Sequence, residues 1–299
     1  MIRMRVKSVD FTRFFTLVFF FSWNNNIKEY KYNLIRGGNM KVVILAGGFG
    51  TRISEESHLK PKPMIGIGDN PILWHIMKYY SSFGFNDFVI CCGYKGYVIK
   101  EYFADYYLHR SDITFDFTEE NKMVIHNNVA EPWKVTVVDT GLNAQTGARI
   151  KRVHKYIGDK PFMLTYGDGV SDVDINALVD FHKKSNKTVT LTAIQPGGKY
   201  GVLDIDDTDT INQFTEKGKE DGGWINGGFM VVEPEIFDYL TDEENLVFER
   251  KPLETLAKEG KLGAYKHDGF WQCMDTLRDK MFLESLVENK NAPWMKWEK

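Results

Sequence analysis

The sequence predicts an α/β protein in which a mostly parallel, Rossmann-like sheet is flanked by helices. From residue 40 onward, short apolar runs alternate with amphipathic stretches, which is typical of a parallel sheet covered by helices. The chain has 299 residues, with 43% hydrophobic and 14% aromatic content, and this is sufficient for a sizeable core. We therefore expect a single domain over residues 40–299, with residues 236–299 as a C-terminal portion packed on it.

The predicted strands and helices alternate along the chain. Lys41–Ala46 is the first strand, and Asp69–Pro71 is predicted to cap and begin the first helix. A second helix is expected from Val98 to Leu108, with Tyr102 and Phe103 facing the core. The other predicted strands are Phe88–Cys92, Val135–Val138, Phe162–Thr165 and Thr188–Ala193.

Residues 1–39 differ in composition from the rest of the chain. The apolar run Phe14–Phe21 follows basic residues, as in a signal peptide, but it is too short to span a bilayer and no small-residue cleavage site follows it. Met40 directly precedes the first strand, and Arg36–Gly38 is a sequence that a purine-rich ribosome-binding site encodes. We therefore predict an N-terminal extension that is disordered or not translated, and intact-mass measurement of the native protein tests this.

The charge and the cysteine content exclude several classes of partner. The formal net charge is −3, and lysine and arginine are spread along the chain without the basic stripe that tracks a nucleic acid. We expect a small charged substrate, no nucleic-acid partner and no membrane partner. Cys91 and Cys92 are neighbours in an apolar run and Cys273 is distant, so no disulfide framework or metal-binding spacing is evident. A cytoplasmic location is therefore expected.

A glycine-rich turn follows the first predicted strand. Gly47, Gly48 and Gly50 lie within four residues, and they leave no side chains between the backbone N–H groups and an approaching polyphosphate. Arg52 can bind phosphate oxygens through two N–H groups, and Lys62, between two prolines, adds a second positive charge. The segment therefore predicts a phosphate site, and the alternative is an ordinary strand-to-helix turn with surface cations nearby.

Two common phosphate-binding motifs do not fit this turn. The dinucleotide pattern G-x-G-x-x-G, when read from Gly48, has Ile53 at its third glycine position. The P-loop requires Gly-Lys before Ser or Thr, whereas Gly50 precedes Thr51 and Arg52. A nicotinamide-dependent enzyme is therefore not favoured.

The segment Leu45–Arg52, followed by Lys60–Pro63, resembles the signature of the sugar-phosphate nucleotidyltransferases, L-A-G-G-x-G-T-R and K-P-K-P. The resemblance implies the nucleotide-diphospho-sugar transferase type of fold. It also implies that the loop wraps a nucleoside triphosphate, with Arg52 facing the departing pyrophosphate and Lys62 facing the reacting phosphates. The nucleotide-binding residues expected here are Leu45, Ala46, Gly47, Gly48, Phe49, Gly50, Thr51, Arg52 and Lys62.

Two aspartates are candidates for a metal site. Asp168 lies in a glycine-flanked turn after the strand Phe162–Thr165, at the same edge of the sheet as the glycine-rich turn. A carboxylate there can hold Mg²⁺ together with phosphate oxygens, although the segment also suits an ordinary turn. In the resemblance, Asp168 is a metal ligand, Asp275 in the segment Trp271–Thr276 is the second, and Gly167 binds nucleotide.

Two further segments resemble the elements of this family that hold the sugar phosphate. The E-K-P and N-G-G elements imply that Glu216, Lys217, Asn226 and Gly227 bind it. Gly218 replaces the usual proline, which loosens the backbone after Lys217. The Asn-Gly-Gly sequence also suits a hairpin turn, which is the alternative interpretation.

Thr146 and Arg149 follow a predicted strand, and they resemble the base-recognising segment of the glucose-1-phosphate cytidylyltransferases of this family. An arginine can donate to the ring nitrogen or carbonyl oxygen of cytosine. This resemblance extends over nearly all of residues 40–299. It implies CTP and glucose 1-phosphate as substrates, Mg²⁺ as cofactor, a homo-oligomer, and Arg52, Lys62 and Asp168 as catalytic residues. The alternatives are UTP or dTTP, another hexose 1-phosphate, or a regulatory binding module without catalysis.

Overall fold

The structure is a computed structural model that describes residues 40–118, 122–195, 202–215 and 223–298. The predicted N-terminal extension, residues 1–39, lies outside these ranges. So do Glu216 and Lys217, which are predicted to bind the sugar phosphate.

Seven strands form the central sheet in the described part of the chain. In chain order they are β1 Val42–Ala46, β2 Asp87–Cys92, β3 Lys134–Asp139, β4 Phe162–Tyr166, β5 Val189–Ile194, β6 Ile225–Val232 and β7 Leu262–Lys266. Their spatial order is β7-β5-β6-β4-β1-β2-β3. β6 is antiparallel to both of its neighbours, and the other neighbouring pairs are parallel. The predicted mostly parallel sheet is therefore confirmed.

The longer described helices are α1 Ile72–Ser82, α2 Gly96–Ala104, α3 Thr146–Arg152, α4 Ile175–Ser185, α5 Lys251–Lys258 and α6 Leu277–Glu288. Short helical turns lie at Thr51–Ile53, Ser54–Ser57, Lys62–Met64, Tyr106–His109, His154–Ile157, Pro234–Asp238 and Lys296–Glu298. Four two-stranded ribbons pair Gly66–Ile67 with Asn70–Pro71, Asp112–Asp116 with Lys122–His126, Gly169–Ser171 with Trp271–Cys273, and Val202–Ile205 with Ile211–Thr215. None of the helices within the described ranges is long and apolar enough to cross a membrane.

Both faces of the central sheet are buried. Val42, Ile44 and Ala46 of β1 face one apolar cluster, and Val43 and Leu45 face the other, because successive side chains of a strand point to opposite sides. Helices α1 and α4 pack on the first face, and α3 and α5 pack on the second. A strand that is covered on both sides has apolar residues at successive positions, and this continuous apolar run is why the sequence predicts β1.

The predicted cap of the first helix is wrong. Asn70–Pro71 pairs with Gly66–Ile67 in a short antiparallel ribbon, and α1 begins at Ile72. Pro71 is extended at the N-cap position, and the Asn70 side chain accepts a hydrogen bond from Arg110 instead of capping the helix. A local ribbon therefore uses the residues that sequence patterns assign to a cap.

The second predicted helix, from Val98 to Leu108, begins earlier and is interrupted. Helix α2 starts at Gly96 and ends at Ala104, and a separate turn covers Tyr106–His109. Asp105 between them has φ −103° and ψ 3°, which is outside the helical region. Tyr102 and Phe103 are partly buried against the core, as predicted.

The C-terminal portion contacts the first helix directly. Trp294 is fully buried, and its indole N–H donates to Nδ1 of His75 on α1 at 3.3 Å. Burial lowers the pKa of His75 to about 4, so this imidazole is neutral and accepts the bond. The contact fixes the end of the described chain beside α1.

Candidate active site

A cleft of about 380 Å³ lies at the carboxyl ends of β1 and β4. The loop after β1, the segment before α3 and the turn after β4 form its walls. The cleft is lined by every residue predicted to bind nucleotide, namely Leu45, Ala46, Gly47, Gly48, Phe49, Gly50, Thr51, Arg52, Lys62, Thr146, Arg149 and Gly167. Asp168 and Asp275 line it as well.

The glycine-rich loop has a defined shape without a ligand. Gly50 lies in the left-handed region at φ 65°, and its carbonyl oxygen accepts from Ser57 Oγ at 3.0 Å. A Cβ at Gly50 would lie 3.1 Å from Ser57 Cβ, whereas a Cβ at Gly48 would contact nothing within 4 Å. The loop therefore needs glycine at position 50 for its conformation, and its exposed backbone at Gly48 is open to a ligand.

Two cations and two carboxylates meet at the floor of the cleft. The Lys62 ammonium lies 2.7 Å from Asp168 Oδ2 and 2.6 Å from Asp275 Oδ1. Arg52 Nη1 donates to Asp275 Oδ2 at 2.7 Å. The side chain of Lys62 is 11% exposed, whereas that of Arg52 is 71% exposed. Lys62 is therefore fixed inside the site, and Arg52 lies at its open edge.

The electrostatics keep Lys62 charged. Burial lowers the pKa of Lys62, but the carboxylate of Asp168, with Cys273 and Asp275, more than offsets this and raises the pKa above its usual value. The ammonium is thus available as a positive charge throughout the physiological pH range.

A β-ribbon brings the two aspartates together. Trp271–Cys273 pairs with Gly169–Ser171, and Cys273 lies opposite Gly169. The Met274 N–H then donates to the Asp168 carbonyl oxygen at 2.8 Å. Asp168 and Asp275 therefore lie side by side although more than a third of the chain separates them.

Cys273 lies beside Asp168 and Asp275, the two residues predicted to hold a metal. The sequence did not indicate that this cysteine belongs to the site. Single ligand atoms of Asp168, Cys273 and Asp275 all lie within 4.8 Å of one another. The carboxylates suit Mg²⁺, which typically takes one or two protein carboxylates together with substrate phosphates. In the sequence Cys273 is distant from the other two cysteines, and it comes beside Asp168 because its strand pairs with Gly169–Ser171.

The guanidinium of Arg149, at the inner end of the cleft, is hydrogen-bonded to the protein itself. Its Nη1 donates to Cys92 O at 2.9 Å, Thr140 Oγ1 at 2.8 Å and Gly141 O at 2.9 Å. Its Nη2 donates to Gly47 O at 2.9 Å and Leu142 O at 3.3 Å. The residue is 4% exposed, and its guanidinium touches Gly47 so closely that a Cβ there would lie 2.2 Å from it. In this structure Arg149 joins the glycine-rich loop to β2 and to the segment before α3.

Arg149→Lys is expected to lower the free energy of unfolding by about 2–4 kcal/mol. The ammonium of lysine cannot replace the planar guanidinium, which donates hydrogen bonds to several buried carbonyl oxygens. Chemical denaturation measures this. Since the glycine-rich loop would lose a hydrogen bond, KM should rise for every nucleotide by a similar factor. If stability were unchanged and only the preference between CTP and UTP altered, Arg149 would be a base-reading residue instead.

A hydrogen-bonded network connects two residues that line the cleft, Thr146 and Tyr166, to Asn226, which is predicted to bind the sugar phosphate. The Glu249 carboxylate accepts from Thr146 Oγ1 at 2.6 Å and from the Tyr166 hydroxyl at 2.5 Å. Asn226 Nδ2 donates to the Tyr166 oxygen at 3.1 Å. Burial, followed by the Glu249 carboxylate, raises the pKa of Tyr166, so its phenol stays protonated. Sequence reasoning missed Tyr166 and Glu249, because their partners are distant in the chain.

Asn226 and Gly227 belong to a strand, so the hairpin interpretation is wrong. Both lie in β6, where pairing with β5 is irregular between Leu191 and Ala193. Asn226 Oδ1 accepts from the Gly228 N–H at 2.9 Å, and the Gly227 carbonyl oxygen accepts from the Trp271 indole at 2.7 Å. A second cavity of about 280 Å³ lies beside Trp271 and is also lined by Ile194, Gln195, His267, Asp268 and Gly269.

The fold and the cleft define a nucleotidyltransferase: the chain belongs to the nucleotidyl transferase family, which matches residues 41–278. The chain is 57% identical over 260 residues to the glucose-1-phosphate cytidylyltransferase of Salmonella typhi, and the alignment covers 87% of this chain and 100% of that protein. The resemblance inferred from the glycine-rich turn is therefore confirmed.

Solved structures show the same fold. HddC from Yersinia pseudotuberculosis superposes with a TM-score of 0.65 at 25% identity, over 83% of this chain and 99% of that one. An apo-UDP-glucose pyrophosphorylase superposes with a TM-score of 0.68 at 18% identity, over 85% of this chain and 99% of that one. At this level of identity the second likeness concerns the fold alone.

Proposed function

We propose that this protein transfers a cytidylyl group from CTP to α-D-glucose 1-phosphate and forms CDP-glucose and pyrophosphate. The observation that carries the proposal is the buried Lys62 ammonium, held by Asp168 and Asp275 beside the glycine-rich loop. The identity of 57% to the Salmonella typhi enzyme supports the choice of substrates.

The chemistry needs no general base from the protein. A phosphate monoester has a second pKa of roughly 6, so glucose 1-phosphate is largely a dianion near neutral pH. One of its phosphate oxygens attacks the α-phosphorus of CTP. The bond from that phosphorus to the bridging oxygen breaks, and pyrophosphate leaves with the electron pair. Alignment of the two phosphates and neutralisation of their charge are therefore the main tasks of the site.

The residues of the cleft can perform these tasks. The exposed backbone of the glycine-rich loop offers N–H groups to the triphosphate. Lys62 faces the reacting phosphates, and the exposed guanidinium of Arg52 can move from Asp275 to the departing pyrophosphate. Asp168 and Asp275 would hold Mg²⁺, which supplies further neutralisation of phosphate charge when bound.

Base selection is proposed to depend on backbone groups that Arg149 fixes in place. Arg149 already donates to the carbonyl oxygens of Gly141 and Leu142, and Leu142 lines the wall of the cleft. A carbonyl oxygen has a second lone pair, which can accept from the amino group of cytosine but finds no donor at the carbonyl edge of thymine or uracil. Cytosine is therefore the base that this wall suits.

The test is pyrophosphate release with Mg²⁺ and glucose 1-phosphate, comparing CTP, UTP, dTTP, ATP and GTP, on the chain that starts at Met40. Release with CTP alone is expected. Release with another nucleotide would keep the chemistry and overturn the choice of base. No release with any of the five would contradict the proposed substrates and favour another sugar phosphate or a binding module without catalysis.

A further inference from the structure

The cluster of Asp168, Cys273 and Asp275 combines two carboxylates with one sulfur atom. The ribbon pairing that sets Cys273 opposite Gly169 directs its side chain toward Asp168. The Sγ atom and one oxygen from each of Asp168 and Asp275 lie within 4.8 Å of one another. Two donors on one tetrahedral ion, with bonds of about 2.0–2.3 Å, are roughly 3.5 Å apart, so small side-chain rotations complete the set.

The surroundings already hold a cation at this point. The Lys62 ammonium touches both carboxylates, at 2.7 and 2.6 Å, and the Asp275 side chain is only 9% exposed. The protein has therefore arranged negative oxygens around a buried positive charge, and a divalent ion that enters the cluster takes over the place of that ammonium. This observation is independent of the thiol.

We propose that Cys273 is a third ligand of this site, so that the cluster of Asp168, Cys273 and Asp275 binds thiophilic divalent ions such as Zn²⁺, Cd²⁺ and Co²⁺ in competition with Mg²⁺. Sulfur is a good ligand for these ions and a poor one for Mg²⁺, which prefers oxygen. A bound ion replaces the proton of the thiol, since thiolate is the form that ligates. The site thus discriminates among metals through one side chain. The inference shares its two aspartates with the metal site of the proposed function, but it requires no nucleotide.

The experiment is a titration of the whole protein with Co²⁺ in the absence of nucleotide and under reducing conditions. A near-ultraviolet sulfur-to-cobalt charge-transfer band is expected to grow and to saturate at one ion per chain. In Cys273→Ala the band should be lost, and the Co²⁺ affinity should fall by about tenfold or more. The Mg²⁺ affinity of the same variant, measured by calorimetry, should change by less than about twofold, because sulfur contributes little to Mg²⁺ binding.

Cys92→Ala is the matched control, because Cys92 is a free, buried cysteine of β2 and is not in the cluster. It should keep the charge-transfer band. A second measurement needs no variant: the ¹¹³Cd resonance of the wild-type protein should lie in the range of sulfur-ligated cadmium. Saturation of the protein with Co²⁺ without the band, persistence of the band in Cys273→Ala, or a ¹¹³Cd resonance typical of oxygen ligands would each overturn the proposal. None of these readouts depends on CTP turnover, so failure of the proposed reaction and failure of the sulfur ligand are distinguishable.

Discussion

Replacing Lys62 with alanine is expected to lower kcat/KM for pyrophosphate release by about a thousandfold, or ~4 kcal/mol in transition-state stabilisation. The ammonium lies 2.7 and 2.6 Å from the two carboxylates that would hold Mg²⁺, so an ion bound there would leave its positive charge available to the reacting phosphates in the same cleft. No other lysine lines the described part of the cleft, and the guanidinium of Arg52 lies at its open edge with a separate task. Steady-state kinetics at saturating Mg²⁺ measure the effect.

Lys62→Ala should also destabilise the fold, since it leaves Asp168 and Asp275 facing each other without their shared cation. We expect the free energy of unfolding to fall by about 2 kcal/mol, less than the loss in catalysis. Lys78→Ala is the matched control, because Lys78 is a partly buried lysine paired with Glu131 at 2.9 Å and does not line the cleft. It should lose stability and keep turnover. Normal turnover of Lys62→Ala at a temperature where it is folded would contradict the assigned role.

Asp275→Asn is expected to lower turnover by about a hundredfold to a thousandfold and to move the Mg²⁺ dependence of the rate to higher concentrations. The amide keeps the shape of the side chain but removes a charge that faces both Lys62 and Arg52. Stability should change little, because Lys62 retains Asp168 as its partner. Rates measured over a range of Mg²⁺ concentrations test this.

Asp87→Asn is the control, because it makes the same substitution at a carboxylate that does not line the cleft. Asp87 pairs with an exposed lysine, Lys134, at 3.1 Å, and such pairs contribute about 0–1 kcal/mol. Its turnover and Mg²⁺ dependence should match those of the wild type. An Asp275→Asn protein with the same profile as this control would show that Asp275 is not a metal ligand.

The sheet and the phosphate loop could be predicted because their signals are local. β1, and β2 from Phe88 onward, are buried on both faces, so each is an unbroken apolar run in the sequence. Gly50 has a positive φ that favours glycine, and a glycine-rich segment after a strand indicates such a turn. Asp168 follows a buried strand at the same edge, and the topology of parallel sheets places both in one cleft.

The features that could not be predicted depend on non-local contacts. The Arg149 guanidinium donates to the carbonyl oxygens of Cys92 and Gly47, which are 57 and 102 residues away, and no sequence pattern records which carbonyls are free. The alternative of a hairpin turn at Asn226–Gly228 suits the composition, but the segment lies within β6, where Asn226 pairs with Ala193 of β5. The network through Glu249 was not foreseen for the same reason, since Thr146 precedes it by 103 residues.

The pairing of Lys62 with Asp275 has a consequence for the order of events during synthesis. The two residues are 213 positions apart, so at 5–20 residues per second the ribosome needs roughly 10–40 s to make the second after the first. Until then the lysine lacks one of its two counter-charges, and β7, which ends at Lys266, has only just been synthesised. A nascent chain that has not yet reached residue 275 is therefore expected to be inert as a catalyst, however much of its sheet has formed.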